Sequence, residues 1–126
     1  MQYSIVSRNL IFIIFTFFVS VHMTQAAYNV SFLIGECYGN FHSYVTDCNG
    51  SVLFDEGFRD CSRGNYLFQW YDAPSLYCVH AYPQIEPKTN RYIQYTNVNA
   101  CLEIEGSELS YTITDLPDQI GHCWEP

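Results

Sequence analysis

The sequence predicts an all-β domain: a small, disulfide-stapled antiparallel sandwich or partly open barrel of about eight short strands. After residue 26, no stretch repeats apolar side chains at the spacing of an amphipathic helix. Short runs rich in Val, Ile, Tyr, Phe and Thr alternate instead with Gly, Asn, Asp, Ser and Pro, which is typical of strands and turns. Six cysteines suit a small core that covalent bridges reinforce.

Residues 1–26 are predicted to be a secretory signal peptide, which leaves 27–126 as a single cysteine-rich β domain. A polar start containing Arg8 precedes an apolar run at 10–21, and small residues follow it up to Ala26. The run has 12 residues, whereas a membrane-spanning helix needs about 20. We therefore prefer cleavage after Ala26, with Ala27 as the alternative site, over an uncleaved anchor. The mature chain is expected to be secreted, extracellular and free of the membrane.

Eight strands are predicted in chain order, and turn-forming residues separate them. The first four lie at 29–34, 41–48, 51–55 and 65–71. Asn49-Gly50 ends the second, and Ser62-Arg63-Gly64 precedes the fourth. The last four lie at 76–82, 91–96, 100–105 and 108–114. The fifth strand follows residues 72–75, which include Pro74. The sixth follows the irregular stretch 83–89, which includes two prolines, and the eighth follows Gly106-Ser107.

Two hairpins carry a predicted register. Asn49-Gly50 suits a type I′ turn, which places Cys48 opposite Ser51 and Val45 opposite Phe54. Gly106-Ser107 suits a type II′ turn. This second turn pairs Ile104 with Leu109, Leu102 with Tyr111, and Glu105 with Glu108, and puts Ile113 on the same apolar side.

All six cysteines lie in the mature part, and their even number predicts three disulfides. No Cys-x-x-Cys pair occurs, which disfavours a zinc or thioredoxin-like site. The pairing stays open at this point. The cysteines are Cys37, Cys48, Cys61, Cys78, Cys101 and Cys123.

Two sequons fit an extracellular address. Asn29-Val30-Ser31 and Asn49-Gly50-Ser51 match the N-glycosylation pattern, so Asn29 and Asn49 are candidate acceptors. Asn49 is the better placed, because its predicted turn puts it at an exposed tip.

The charge balance limits the partners. Five basic and thirteen acidic residues give a net charge of −8, and removal of the leader takes one basic residue and brings it to −9. A phosphate backbone requires clustered Lys and Arg, so nucleic acid is not expected as a partner. Glu103, Glu105 and Glu108 are expected to form a solvated face, with a calcium site as the alternative. No other metal ligand set and no cofactor motif is found, so no cofactor is predicted.

Two aromatic segments suggest a binding surface. In 65–72 the alternation directs Gln69 and Tyr71 away from the core, and in 91–96 it does the same for Tyr92 and Gln94. Such rings and amides, if they share one outer face, can stack on sugars or anchor a protein. Ordinary strand residues are the competing interpretation.

The sequence therefore favours a monomeric extracellular binding or interaction protein, for an unknown protein or glycan ligand, over an enzyme. A secreted effector, toxin or protease inhibitor is the alternative, with 83–89 as the candidate inhibitory loop. A small secreted hydrolase is third. Its acid and base would come from His42 or His80 with a carboxylate, but no catalytic motif fixes their geometry.

Overall fold

The computed structural model describes residues 27–116 and Cys123. Its eight strands confirm the all-β prediction. They are β1 Tyr28–Tyr38, β2 Asn40–Thr46, β3 Val52–Asp60, β4 Tyr66–Ala73, β5 Leu76–Pro83, β6 Arg91–Thr96, β7 Ala100–Ser107 and β8 Ser110–Asp115, with a short 3₁₀ turn at Pro87–Thr89. The predicted signal peptide and its cleavage site after Ala26 lie outside the described residues.

The strands form two four-stranded sheets, as the predicted open sandwich requires. The first sheet has the order β4-β1-β7-β8 and the second has the order β3-β2-β5-β6. All neighbours in the second sheet are antiparallel, but β1 and β7 in the first sheet run parallel. The purely antiparallel expectation is wrong for this pair. The chain between β1 and β7 passes through the second sheet, which gives the long crossover that a parallel pair needs.

The core lies between the sheets and is built from side chains of both sheets. Phe32 and Leu102 of the first sheet and Phe41 and Tyr77 of the second are fully buried. Tyrosine hydroxyl groups also form hydrogen bonds between the layers. The Tyr111 hydroxyl donates to the backbone carbonyls of Ala81 and Thr89. Similarly, the Tyr95 hydroxyl donates to Asp115 Oδ1 at 2.8 Å. These links hold the second sheet in a fixed position over the first.

Three disulfides are present, as predicted, and no cysteine is free. Cys37–Cys61 joins the end of β1 in the first sheet to the residue after β3 in the second. Cys48–Cys78 ties the loop after β2 to β5. Cys101–Cys123 ties β7 to the C-terminal segment. Each bridge closes a long loop and thereby restricts the unfolded chain.

The β2–β3 hairpin differs from its predicted turn. Val45 lies opposite Phe54, as expected, but Cys48 does not pair with Ser51. The turn is a wider loop, closed by a hydrogen bond from the Asp47 N–H to the Ser51 carbonyl. Positive φ occurs at Cys48 and Gly50 rather than at Asn49. The side chain of Asp47 explains this wider loop, because its Oδ1 accepts hydrogen bonds from the backbone amides of Asn49 and Ser51.

The β7–β8 hairpin turns two residues later than predicted. The turn is at Glu108-Leu109, so Ile104 pairs with Ile113 and Glu105 pairs with Thr112, not with Glu108. The predicted pairs of Ile104 with Leu109 and Leu102 with Tyr111 are therefore wrong. The inward face of Leu102, Ile104, Tyr111 and Ile113 survives, because the shift is an even number of residues.

Tertiary contacts account for this displaced turn. Glu108 at the turn accepts the Ile85 amide at 3.3 Å, and its side chain fills the space beside Gly39. Neither contact is visible from the local turn sequence.

Candidate functional site

The outward side chains of the second sheet line up in three cross-strand rows. We name this surface the aromatic face and define it by the rows. The first row is Phe58, His42 and Tyr82. The second row is Asp55, Tyr44, His80 and Tyr92. The third row is Val52, Thr46, Cys78 and Gln94. The outer face of a two-layer sandwich is ordinarily polar, yet six of the seven side chains in the first two rows are rings.

The rings of these rows pack on one another. His42 stacks on Tyr82 with ring centroids 4.9 Å apart, and Tyr44 stacks on His80 at 4.6 Å. Tyr92 continues the second row at 5.1 Å from His80. Cross-strand stacking of this kind stabilises a sheet and also holds each ring in one orientation. The face is therefore a fixed surface.

A chain of hydrogen bonds fixes His42. Asp55 Oδ1 accepts from His42 Nε2 at 2.6 Å and from the Gly57 amide at 2.9 Å. With its proton on Nε2, the neutral imidazole presents Nδ1 as an acceptor to the Tyr82 hydroxyl at 2.9 Å. Burial raises the pKa of Tyr82, and the nearby Tyr44 and Asp55 act in the same direction. Tyr82 therefore remains a neutral donor.

His80 lies deeper in the face. Its Nε2 is 2.9 Å from Thr46 Oγ1, which also accepts the Cys48 amide. Within the described part of the chain, the buried Nδ1 has no hydrogen-bond partner. Burial lowers the pKa of His80, and the side chain of Asn90 opposes this shift more weakly. The Asn90 amide itself donates to the Tyr44 hydroxyl at 2.6 Å. Burial is therefore the dominant cause of the shift in the pKa of His80.

These rows border an open groove of about 570 Å³. The Cys48–Cys78 bridge and Gly50 of the preceding loop lie at one end, and Tyr92 and Gln94 lie along one side. Among the residues that line the groove, Asp55 is the one carboxylate, and no Lys or Arg is present. A groove of this size, lined by stacked rings and by side chains that can form hydrogen bonds, is large enough for a small ligand.

The four residues of the predicted binding face do not share one surface. Gln69 and Tyr71 belong to β4 in the first sheet, whereas Tyr92 and Gln94 belong to β6 in the second. All four are exposed, so their predicted outward direction is confirmed. Their predicted common face is wrong, because β4 and β6 lie in different sheets. Only Tyr92 and Gln94 join the aromatic face.

The two histidines considered for catalysis lie on the same face. His42 is on β2 and His80 is on the adjacent strand β5, with Tyr44 and Tyr82 beside them. The sequence did not single out Tyr44, Tyr82 or Asp55. The alternation of His42, Tyr44 and Thr46 along β2 was available as a signal, but the adjacency of β2 and β5 was not.

The predicted acidic group is split. The side chains of Glu103 and Glu105 both pack beside Gly35 on β1, whereas Glu108 lies at the β7–β8 turn beside Gly39. Across residues 27–116 and Cys123, no group of three His, Cys, Asp or Glu side chains is placed to hold a metal ion. The structure therefore does not bring the three glutamates into one calcium site.

The sequons and the predicted inhibitory loop lie at the surface to different degrees. Asn49 is exposed in the β2–β3 loop, whereas Asn29 is half-buried, with its backbone amide donating to Asn99 Oδ1. Their glycosylation stays a prediction. In the loop after β5, the Gln84 amide donates to the Asn40 carbonyl at 3.0 Å, and Ile85 is 57% exposed. Its role as an inhibitory loop also stays a prediction.

Comparison with protein-family models, with curated proteins and with solved structures found no match to this chain. In the part of the chain that the structure describes, no helix has the length and apolar character needed to cross a membrane. Three disulfides in a small β domain are consistent with an extracellular protein.

Proposed function

We propose that the mature chain is a secreted, disulfide-stabilised binding domain, and that its ligand binds on the aromatic face. The predicted leader and the three bridges support the extracellular location. The outward placement of six rings that pack on one another carries the proposal for the site. These rings lie on the solvent side of the second sheet, so the core between the sheets does not require them.

Physical considerations favour a ligand on this surface. Aromatic rings supply large contact area with little side-chain entropy to lose, and rings already stacked on neighbours lose less still. Tyr92 keeps 61% of its surface exposed and Phe58 keeps 49%. A bound molecule would remove this apolar area from water, while Asp55 and Gln94 would orient it through hydrogen bonds.

A hydrolase is the second candidate, because Asp55 and His42 have the geometry of an acid/base pair. However, His42 uses both ring nitrogens inside the protein, one on Asp55 and the other on the Tyr82 hydroxyl. A substrate would have to displace one of these partners before His42 could accept its proton. The open groove also offers little exclusion of water. We therefore place binding first.

The test is a protein-observed NMR screen of the secreted, disulfide-bonded product of the full chain. The probes are a library of small neutral and charged ring compounds. We expect most binding compounds to shift amide signals of β2, β5 and β6 around His42, His80 and Tyr92. Compounds that bind chiefly at β4 or β8, or a library that yields no binding compound, would contradict the proposal.

A further inference from the structure

We propose that the aromatic face recognises a small organic ammonium ion with an aromatic body, and that Asp55 and the Tyr44 ring hold its charged group. This inference rests on the proposed function and specifies its ligand. Asp55 is the one carboxylate on the groove lining, where no Lys or Arg balances it, and its two hydrogen-bond donors are the His42 imidazole and the Gly57 amide.

The carboxylate has one oxygen available for a ligand. Both donors use Oδ1, and no donor in residues 27–116 reaches Oδ2. The side chain of Asp55 is 50% exposed, so water and solutes reach it. The basic side chain on the same strand has other partners, because Arg59 binds the Leu67 carbonyl and pairs with Glu56. Arg91 lies over the Tyr111 ring.

The Tyr44 ring provides the second wall of the proposed ammonium site, and Asp55 provides the first. One face of this ring stacks on His80, which lies on the β5 side of Tyr44. The opposite face is therefore directed to the β3 side, where Asp55 is the direct cross-strand neighbour of Tyr44. A cation between the two would contact a carboxylate on one side and the negative face of a ring on the other. This is the combination that favours ammonium groups over neutral ones.

The rest of the groove indicates the size and character of the ligand. Its volume of about 570 Å³ is far larger than a bare ammonium group needs. The second row ends at the exposed ring of Tyr92, against which a flat apolar body can stack, and Gln94 lies in the third row on the same strand. The excess of acidic over basic residues, thirteen to five, also raises the local concentration of cations around the protein.

The experiment compares two probes of nearly equal shape, 2-phenylethylammonium and the neutral 2-phenylethanol, by calorimetric titration of the secreted protein. We expect the ammonium probe to bind at least about tenfold more tightly, as one hydrogen bond to a charged group implies. Asp55→Asn should remove this advantage, because an amide still accepts from His42 and Gly57 but carries no charge. The matched control is Asp72→Asn, an exposed aspartate on β4, which should leave the advantage intact.

The outcomes separate this inference from the proposed function. Equal binding of both probes at the aromatic face, or an ammonium preference that Asp55→Asn does not change, overturns the inference while the proposed function stands. Binding of neither probe also overturns the inference. Failure of the broader ring-compound screen overturns the proposed function and the inference together.

Discussion

At the scale of residues, the stability of the aromatic face depends on the protonation state of His80. His80 is half-buried between two tyrosine rings, and burial lowers its pKa below the ordinary value of 6.5. An unfolded chain has no such environment and binds the proton more readily. The stability that neutral His80 contributes is therefore complete above pH 6.5 and is lost as pH falls through the lowered pKa.

This linkage predicts that the melting temperature falls between pH 7.5 and pH 5, and that His80→Gln makes the fall shallower. Asp47→Asn is the control. The backbone amide of Asn49 lowers the pKa of Asp47 below 3.8, so the contribution of this carboxylate changes only at more acidic pH. Melting curves of the three proteins at each pH measure the effect. An unchanged slope in His80→Gln would count against it.

A second residue-scale prediction concerns the displaced β7–β8 turn. Gly106 has φ of +107°, and a Cβ there would lie 2.3 Å from the Ser110 carbonyl oxygen. Gly50 has nearly the same φ, +100°, but a Cβ there meets nothing within 4 Å. Both alanine variants therefore suffer similar backbone strain, and only Gly106→Ala adds a backbone clash. We expect Gly106→Ala to lose about 1–3 kcal/mol more of unfolding free energy, measured by urea denaturation. Equal losses would contradict the register reported for this hairpin.

At the scale of elements, the sequence predicted the eight strands because strand and turn preferences are local. It missed the register of β7–β8 because the contacts of Glu108 with Ile85 and Gly39 are tertiary. It also grouped Tyr71 with Tyr92, although β4 and β6 belong to different sheets. Alternation along a strand gives the direction of a side chain, but it does not give the neighbouring strand.

The Cys48–Cys78 bridge provides an element-scale prediction, because it ties the β2–β3 loop to β5 at one end of the groove. The double variant Cys48→Ala/Cys78→Ala should lose about 3 kcal/mol of unfolding free energy and should also weaken binding at the aromatic face. The control is Cys37→Ala/Cys61→Ala. The Cys37–Cys61 bridge spans 24 residues and the Cys48–Cys78 bridge spans 30, so the loss of stability should be similar. This control variant keeps the Cys48–Cys78 bridge at the end of the groove.

Denaturant unfolding and calorimetric titration of both double variants, at a temperature where each is folded, measure the two effects separately. Equal weakening of binding in the two variants would mean that general loosening, and not the local wall, affects the site.

At the scale of the whole molecule, a sandwich with a purely structural outer face would be expected to present mainly polar side chains to water. The inward faces of the two sheets provide the core and the three bridges provide covalent links, yet the second sheet also places six rings on its outer face. The sequence indicates that Tyr92 and Gln94 point outward and makes His42 and His80 candidate functional residues, but it does not show that these four residues share one face. The assembly needs the order β3-β2-β5-β6, which only long-range pairing defines.

The most direct measurement compares two tyrosines that differ in the face they occupy. Tyr92 is 61% exposed on the aromatic face, and Tyr71 is 56% exposed on the other sheet. For the compounds found by the ring-compound screen, we expect Tyr92→Ala to raise the dissociation constant at least about fivefold, as a lost ring contact of about 1 kcal/mol implies, and Tyr71→Ala to leave it unchanged. Equal effects of the two substitutions, or a larger effect of Tyr71→Ala, would contradict the assignment of the aromatic face as the binding site.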